Sequence, residues 1–223
     1  MAKEKQCLIT TSLVSAVQWY LDAPDMIIKP EKGGDGKTTW KTRAYEDLER
    51  QLSRTFGEMP DPVKWGLEFE KKVYSIVAQG VQAGSDRFQK ICAEMTGFKF
   101  GQKQGINETI AGEPCYLYVK FDGVDYENKR IRDLKTVSAY TPGKYIKGFQ
   151  HALYCHVSQC TDFRYLIAEW EQYPKIAGVY TEDYHVDDFG ELKKTVHREI
   201  ERCLTSLKDL GLWELYRDKF CLY

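Results

Sequence analysis

The stretch FDGVDYENKRIRDLKT, Phe121 to Thr136, sets an acid, a turn and an acid-x-lysine side by side. Asp122 ends one β-forming segment, and Asp133 and Lys135 sit on the next, across the turn-rich YENK. Adjacent strands run about 5 Å apart, so the two carboxylates can converge on one ion. Residues two apart on a strand share a face, so Lys135 reaches whatever Asp133 holds. Carboxylates gripping Mg2+ or Mn2+ beside an ammonium suit phosphodiester hydrolysis. The ion polarises the phosphate and lowers the pKa of its water, and the lysine orients that water or balances the developing charge. Alone, the fragment reads as readily as a solvated hairpin. Asp125 also competes with Asp122 as the second acid; a strand running through Gly123 puts Asp122 in the site and Asp125 in the turn.

Two flanking segments bear on that choice. In WGLEFE, Trp65 to Glu70, a glycine stands one helical turn before an acid. A helix laid closely on a sheet at Gly66 could present Glu70 as a third carboxylate; the plain alternative is a charged, solvated helix turn. In GFQHALYCH, Gln150 and Tyr154 are an i,i+4 pair and share a helix face. Their amide and hydroxyl can bond a phosphate or orient the lysine, or Tyr154 can simply be core.

The elements that must position these side chains follow from periodicity. Residues 8–21 read as a helix behind a Thr/Ser cap, with a second helix from about Ala44 to Ser53 and a break at GEMPDP. Helical spacing returns over 63–83 and 85–96. Residues 98–110, 113–124 and RIRDLKT read as strands, 143–157 as a helix, FRYLIAEWEQ and KIAGVYTEDYHV as two further strands, and 187–210 as a long amphipathic helix. The order predicts an α/β fold with a central mixed sheet of about five strands flanked by helices, in a single domain over 1–223. Its N-terminal region, 1–62, is helical and includes a basic loop, 29–43.

Taken together, Gly66–Glu70, Asp122, DLK at 133–135 and Gln150–Tyr154 resemble the PD-(D/E)XK nuclease superfamily, in its RecB-like and lambda-exonuclease-like branch. The resemblance covers roughly residues 8–170. It implies a restriction-endonuclease-like core, one or two Mg2+ or Mn2+ ions held by Glu70, Asp122 and Asp133, catalysis by Lys135, and Gln150 and Tyr154 supporting the site or touching DNA. It implies an exonuclease acting on DNA with free ends, in phage or bacterial recombination, repair or end processing. Ring-like homo-oligomers and a single-strand annealing or recombination partner come with it. Glutamate at position 70 departs from RecB-like members that carry histidine and matches the lambda-exonuclease type. Relatives with an iron–sulfur cluster have a Cys-Pro pair where this chain has Ala23-Pro24, and Cys203 and Cys221 are too widely spaced, so no cluster is expected. An endonuclease of the same fold, or a non-catalytic DNA-binding or scaffold protein retaining it, are the rivals.

The remaining signals are weaker. Net charge is −1, so any DNA-binding surface must be local; Lys37, Lys41 and Arg43 of the basic loop are candidates for backbone contact. GGDGKTT lacks the first glycine of a phosphate loop and a strand before it. Seven cysteines without a CxxC read as buried free thiols in a reducing compartment. No apolar run is long enough to span a membrane, and a cytoplasmic place in a bacterial or phage-infected cell is expected. The four histidines form no metal-spaced pair, and His151 is expected at the surface. Trp19 and Tyr20 are expected in the core.

Overall fold

A computed structural model describes residues 5–30, 35–82 and 84–221. Residues 31–34 of the basic loop, with part of GGDGKTT, lie outside the described residues. In chain order the elements are β1 (Cys7–Ile9), α1 (Thr11–Asp22), α2 (Trp40–Ser53), α3 (Asp61–Gln79), α4 (Asp86–Met95), β2 (Lys99–Phe100), β3 (Lys103–Ile110) and β4 (Glu113–Lys120). There follow β5 (Gly123–Asp125), β6 (Arg130–Val137), α5 (Gln150–Ser158), β7 (Asp162–Gln172), β8 (Lys175–His185), α6 (Phe189–Asp209) and α7 (Trp213–Leu215). The chain divides into two compact units, one of Met1–Gly57, Gly105–Tyr118 and Lys194–Tyr223, the other of Glu58–Gln104 and Val119–Lys193.

The first unit holds most of a three-stranded sheet in the order β1-β4-β3. The helix expected over 8–21 starts later, because Leu8 and Ile9 belong to β1, paired parallel with Tyr116 and Leu117 of β4. Thr10 then caps α1, its hydroxyl accepting from the Leu13 amide at 3.2 Å. Helix α2 begins at Trp40, capped by Thr39, so the last residues of the supposed loop are its first turn. Trp19 is 44% exposed, edge-on to Trp40, and not in the core. All seven cysteines are buried and free.

The second unit is a mixed sheet in the order β2-β5-β6-β7-β8 with helices on both faces. Only β6 and β7 pair in parallel, and α5 makes the crossover between them that a parallel pair needs. On one face α3 and α4 bury Phe69, Val73, Phe88, Ile91 and Met95 against Leu166, Ala168 and Ile176. Ser85 caps α4, and α3 stops where Gly80 turns left-handed at φ 64°. Residues alternate across a strand, so the opposite face carries Asp133 and Lys135, then Phe163, Tyr165 and Ile167. Helix α5 packs there, with His151 and Tyr154 against Phe163 and His151 against Tyr165. It starts at Gln150 and not at 143: Gly143 sits at φ 76°, and residues 143–149 form a looped wall instead. Among the described residues no helix is long and apolar enough to cross a membrane.

Candidate active site

The strand expected to run from 113 through Gly123 is broken. β4 ends at Lys120, and β5 resumes at Gly123 in the other sheet. Asp122 occupies the break. β5 is antiparallel to β6 with Gly123 opposite Arg132, so one further step sets Asp122 beside Asp133. One Asp122 oxygen accepts from the Leu134 amide at 2.8 Å. Gly123 packs closely here: a Cβ would lie 2.9 Å from the Met95 terminal methyl and 3.2 Å from Phe98 Cβ, so a side chain would ask both to shift. Asp125 is the last residue of β5, away from the acids, and accepts from the Asn128 amide and side chain in the turn and from Arg130 at 2.6 Å. Arg130 and then Asn128 hold its pKa down to about 2.

Asp133, 2% exposed, is the centre of the arrangement. Its Oδ1 accepts from Gln150 Nε2 at 2.5 Å, while Gln150 Oε1 accepts from Lys135 Nζ at 2.9 Å. The amide thus bridges acid and lysine, and only this orientation satisfies both. Lys135 Nζ stands 2.6 Å from Asp133 Oδ2 as an ion pair. Tyr154, one turn after Gln150, donates to the Lys120 carbonyl at 2.8 Å and anchors α5 to the end of β4. On the other side of the acids, Gly66 lets α3 approach β6: a Cβ there would meet Thr136 Oγ1 at 3.2 Å. A groove of about 530 Å3 opens between them, lined by Gly66, Leu67, Glu70, Leu134, Lys135 and Thr136 among others.

The electrostatics are those of an acid cluster deprived of water. Burial, then the charges of Asp133 and Glu70, push Asp122 up to about 8. Burial likewise raises Asp133, against the pull of Lys135 and Gln150. Burial opposes the charge on Lys135, but Asp133 outweighs it, and the ammonium is held above the usual lysine range. The donor set fits a hard divalent cation: carboxylate oxygens only, near enough that the charges of Asp133 and Glu70 raise Asp122.

Three residues beside the site escaped the sequence reading. Tyr74 follows Glu70 by one turn of α3 and stacks on Phe100, 4.5 Å between centroids. Its hydroxyl is buried without a hydrogen bond among the described residues, and burial with the charges of Asp122 and Glu70 keeps its proton on. Its i,i+4 spacing from Glu70 was a usable signal. Tyr145 and Tyr165 put their ring centroids 5.9 and 5.7 Å from Lys135 Nζ; only the tertiary fold brings them there. His151 is buried and not at the surface, with Nδ1 3.2 Å from the Tyr165 hydroxyl. Burial lowers its pKa to about 4. Lys37, Lys41 and Arg43 lie in the other unit. Lys41 reaches back to the Tyr20 and Leu21 carbonyls at the end of α1, at 2.5 and 3.3 Å, while Lys37 and Arg43 are exposed.

Comparison with known proteins returned no matching family model and no matching curated protein. Among solved structures, the chain is similar to a phage-related exonuclease from Haemophilus somnus, with 15% identity, 89% of this chain and 93% of that one covered, and a TM-score of 0.48. It is also similar to an alkaline exonuclease from Laribacter hongkongensis, with 14% identity, 91% of each chain covered and a TM-score of 0.46. A structure of LHK-Exo, the same exonuclease, in complex with dAMP matches at 15% identity over 94% of this chain and 91% of that one, with a TM-score of 0.45.

Proposed function

We propose that this chain is a divalent-metal-dependent deoxyribonuclease of the PD-(D/E)XK type, an exonuclease that hydrolyses DNA from free ends in phage or bacterial recombination, repair or end processing. One observation carries the reading: a buried aspartate, ion-paired to a lysine two residues on, bridged to it by a glutamine, and crowded by two further carboxylates. Glu70, Asp122 and Asp133 hold Mg2+ or Mn2+. When bound, the ion neutralises their repulsion and supplies Lewis-acid chemistry at the scissile phosphate. Lys135, held as the ammonium, donates to the attacking water or to the phosphate oxygens and balances the charge that builds there. Gln150 holds the acid and the lysine in register, and Tyr154 fixes the helix that carries it. The Tyr145 and Tyr165 rings stand beside Lys135 at cation–π distance and add to its hold in the site.

The test uses purified protein with end-labelled linear DNA and closed circular DNA, in Mg2+, Mn2+ or EDTA. Loss of linear DNA alone, abolished by EDTA and by Asp133→Ala, is the expected result. Nicking or cutting of circles would reassign the chain to the endonucleases of this fold. Absence of metal-dependent cleavage would leave a DNA-binding or scaffold protein.

A further inference from the structure

A second buried carboxylate lies in the same unit and takes no part in the acid cluster. Glu182 on β8 is 8% exposed. Sheet register links it to the site: Asp133 pairs with Tyr165 of β7, and Tyr165 pairs with Glu182. The three therefore form one row across β6, β7 and β8 on the face that α5 covers. Glu182 spends its oxygens on the loop between β6 and α5. Its Oε1 accepts from the Tyr140 hydroxyl at 3.0 Å, and its Oε2 accepts from the Tyr145 and Ile146 amides at 3.0 and 2.9 Å. Those bonds hold the Tyr145 ring against Tyr165, 5.2 Å between centroids and 28° from parallel.

We propose that Glu182 is a positioning residue for the reaction, acting through this loop: it clamps Tyr145 beside Lys135, so that the ammonium stays on Asp133 and Gln150. The inference rests on the nuclease reading of the site. A buried carboxylate is costly unless its acceptors are filled, and Glu182 fills them from the segment that joins the strand of Lys135 to the helix of Gln150. With the clamp gone, that segment can lift, and Lys135 gains room to leave its partners. Displacements of about 1 Å around reacting groups cost on the order of 10²-fold in rate.

The experiment compares Glu182→Ala, Glu182→Gln and wild type for kcat and KM on linear DNA, and for hydrogen exchange at the Tyr145 and Ile146 amides. Glutamine keeps the clamp, since its carbonyl oxygen can accept both amides and its NH2 can donate to the Tyr140 hydroxyl. Expected for Glu182→Ala are fast exchange at both amides and a fall in kcat of about 10²-fold with KM nearly unchanged. Glu182→Gln should restore slow exchange and nearly all of kcat. An alanine variant with fast exchange and wild-type kcat would overturn the role of Glu182, as would a glutamine variant with slow exchange that stays as impaired as alanine. A wild-type protein without cleavage would strike the nuclease reading and this role with it. Unchanged kcat in Glu182→Ala beside an active wild type strikes the role of Glu182 alone.

Discussion

Metal binding at the acid cluster must be coupled to proton release, and the coupling can be measured without DNA. Burial, Asp133 and Glu70 push Asp122 up to about 8, so below that pH its carboxyl carries a proton that a cation has to displace. Each pH unit below about 8 should weaken Mn2+ binding roughly tenfold, about 1.4 kcal/mol. From pH 6 to pH 8 the affinity should therefore rise on the order of 10²-fold and then flatten. The sign for folding runs the other way. A carboxyl raised in the folded state binds more protons folded than unfolded between about pH 4 and pH 8, so metal-free stability should fall as pH rises through that window. Titration calorimetry with Mn2+, in buffers of different ionisation enthalpy, counts the released protons directly. Asp122→Asn can still accept the Leu134 amide through its carbonyl oxygen. It should melt higher than wild type at pH 8 without metal, bind Mn2+ poorly, and lose the pH slope. Wild-type affinity that is flat from pH 6 to pH 8, with no proton released, would refute the reasoning.

Gly66→Ala should lower activity more than stability, because the added Cβ meets Thr136 Oγ1 at 3.2 Å and displaces α3, with Glu70, or Thr136 slightly; Gly66→Ala with Thr136→Ala, which removes that oxygen, should recover most of the loss in a kcat/KM assay. Gln150→Glu places a negative charge against Asp133 Oδ1 and should cost more activity than Gln150→Ala, read as kcat on linear DNA. Tyr74→Phe keeps the stack on Phe100 and removes the unpartnered hydroxyl; it should leave melting temperature unchanged or higher and weaken Mn2+ binding in calorimetry. Asp125 is held near 2, so its contribution to folding is present above about pH 4 and is lost as pH falls towards 2; the melting-temperature gap between wild type and Asp125→Asn should close over that interval, with activity at pH 8 unaffected.

Local pattern made part of this site legible. The period of a strand puts Asp133 and Lys135 on one face, and the structure has them in contact at 2.6 Å. The period of a helix puts Gln150 and Tyr154 on one face; Tyr154 hydrogen-bonds at the end of β4 and Gln150 to Asp133 in the middle of β6. What stayed hidden depends on register between distant segments. The pairing of β1 with β4 brings Cys7 beside Cys115, and nothing near either residue announces it. The row Asp133, Tyr165, Glu182 exists only once β6, β7 and β8 are aligned. Helix α5 misled for another reason: residues 151–157 are all buried, so it lacks the polar stripe by which an amphipathic helix is recognised, and His151 was assigned to the surface.

The burial that raises the acids goes with an aromatic surround for Lys135, from Tyr145 in the loop before α5 and Tyr165 on β7. An aliphatic cover would desolvate the carboxylates equally well, but it would add nothing for Lys135 to the contacts with Asp133 and Gln150. Tyr145 and Tyr165 present rings about one cation–π distance from the ammonium. The lysine can then stay charged in a site where burial alone would strip its proton. Three carboxylates and one ammonium leave a net negative pocket, and that deficit is relieved by a divalent ion on one side or by protons on the other. Replacing Tyr145 with leucine should preserve burial while weakening the hold on the ammonium, so it should lower the pKa of Lys135, and with it the upper limb of the pH–rate profile, without a comparable loss of melting temperature.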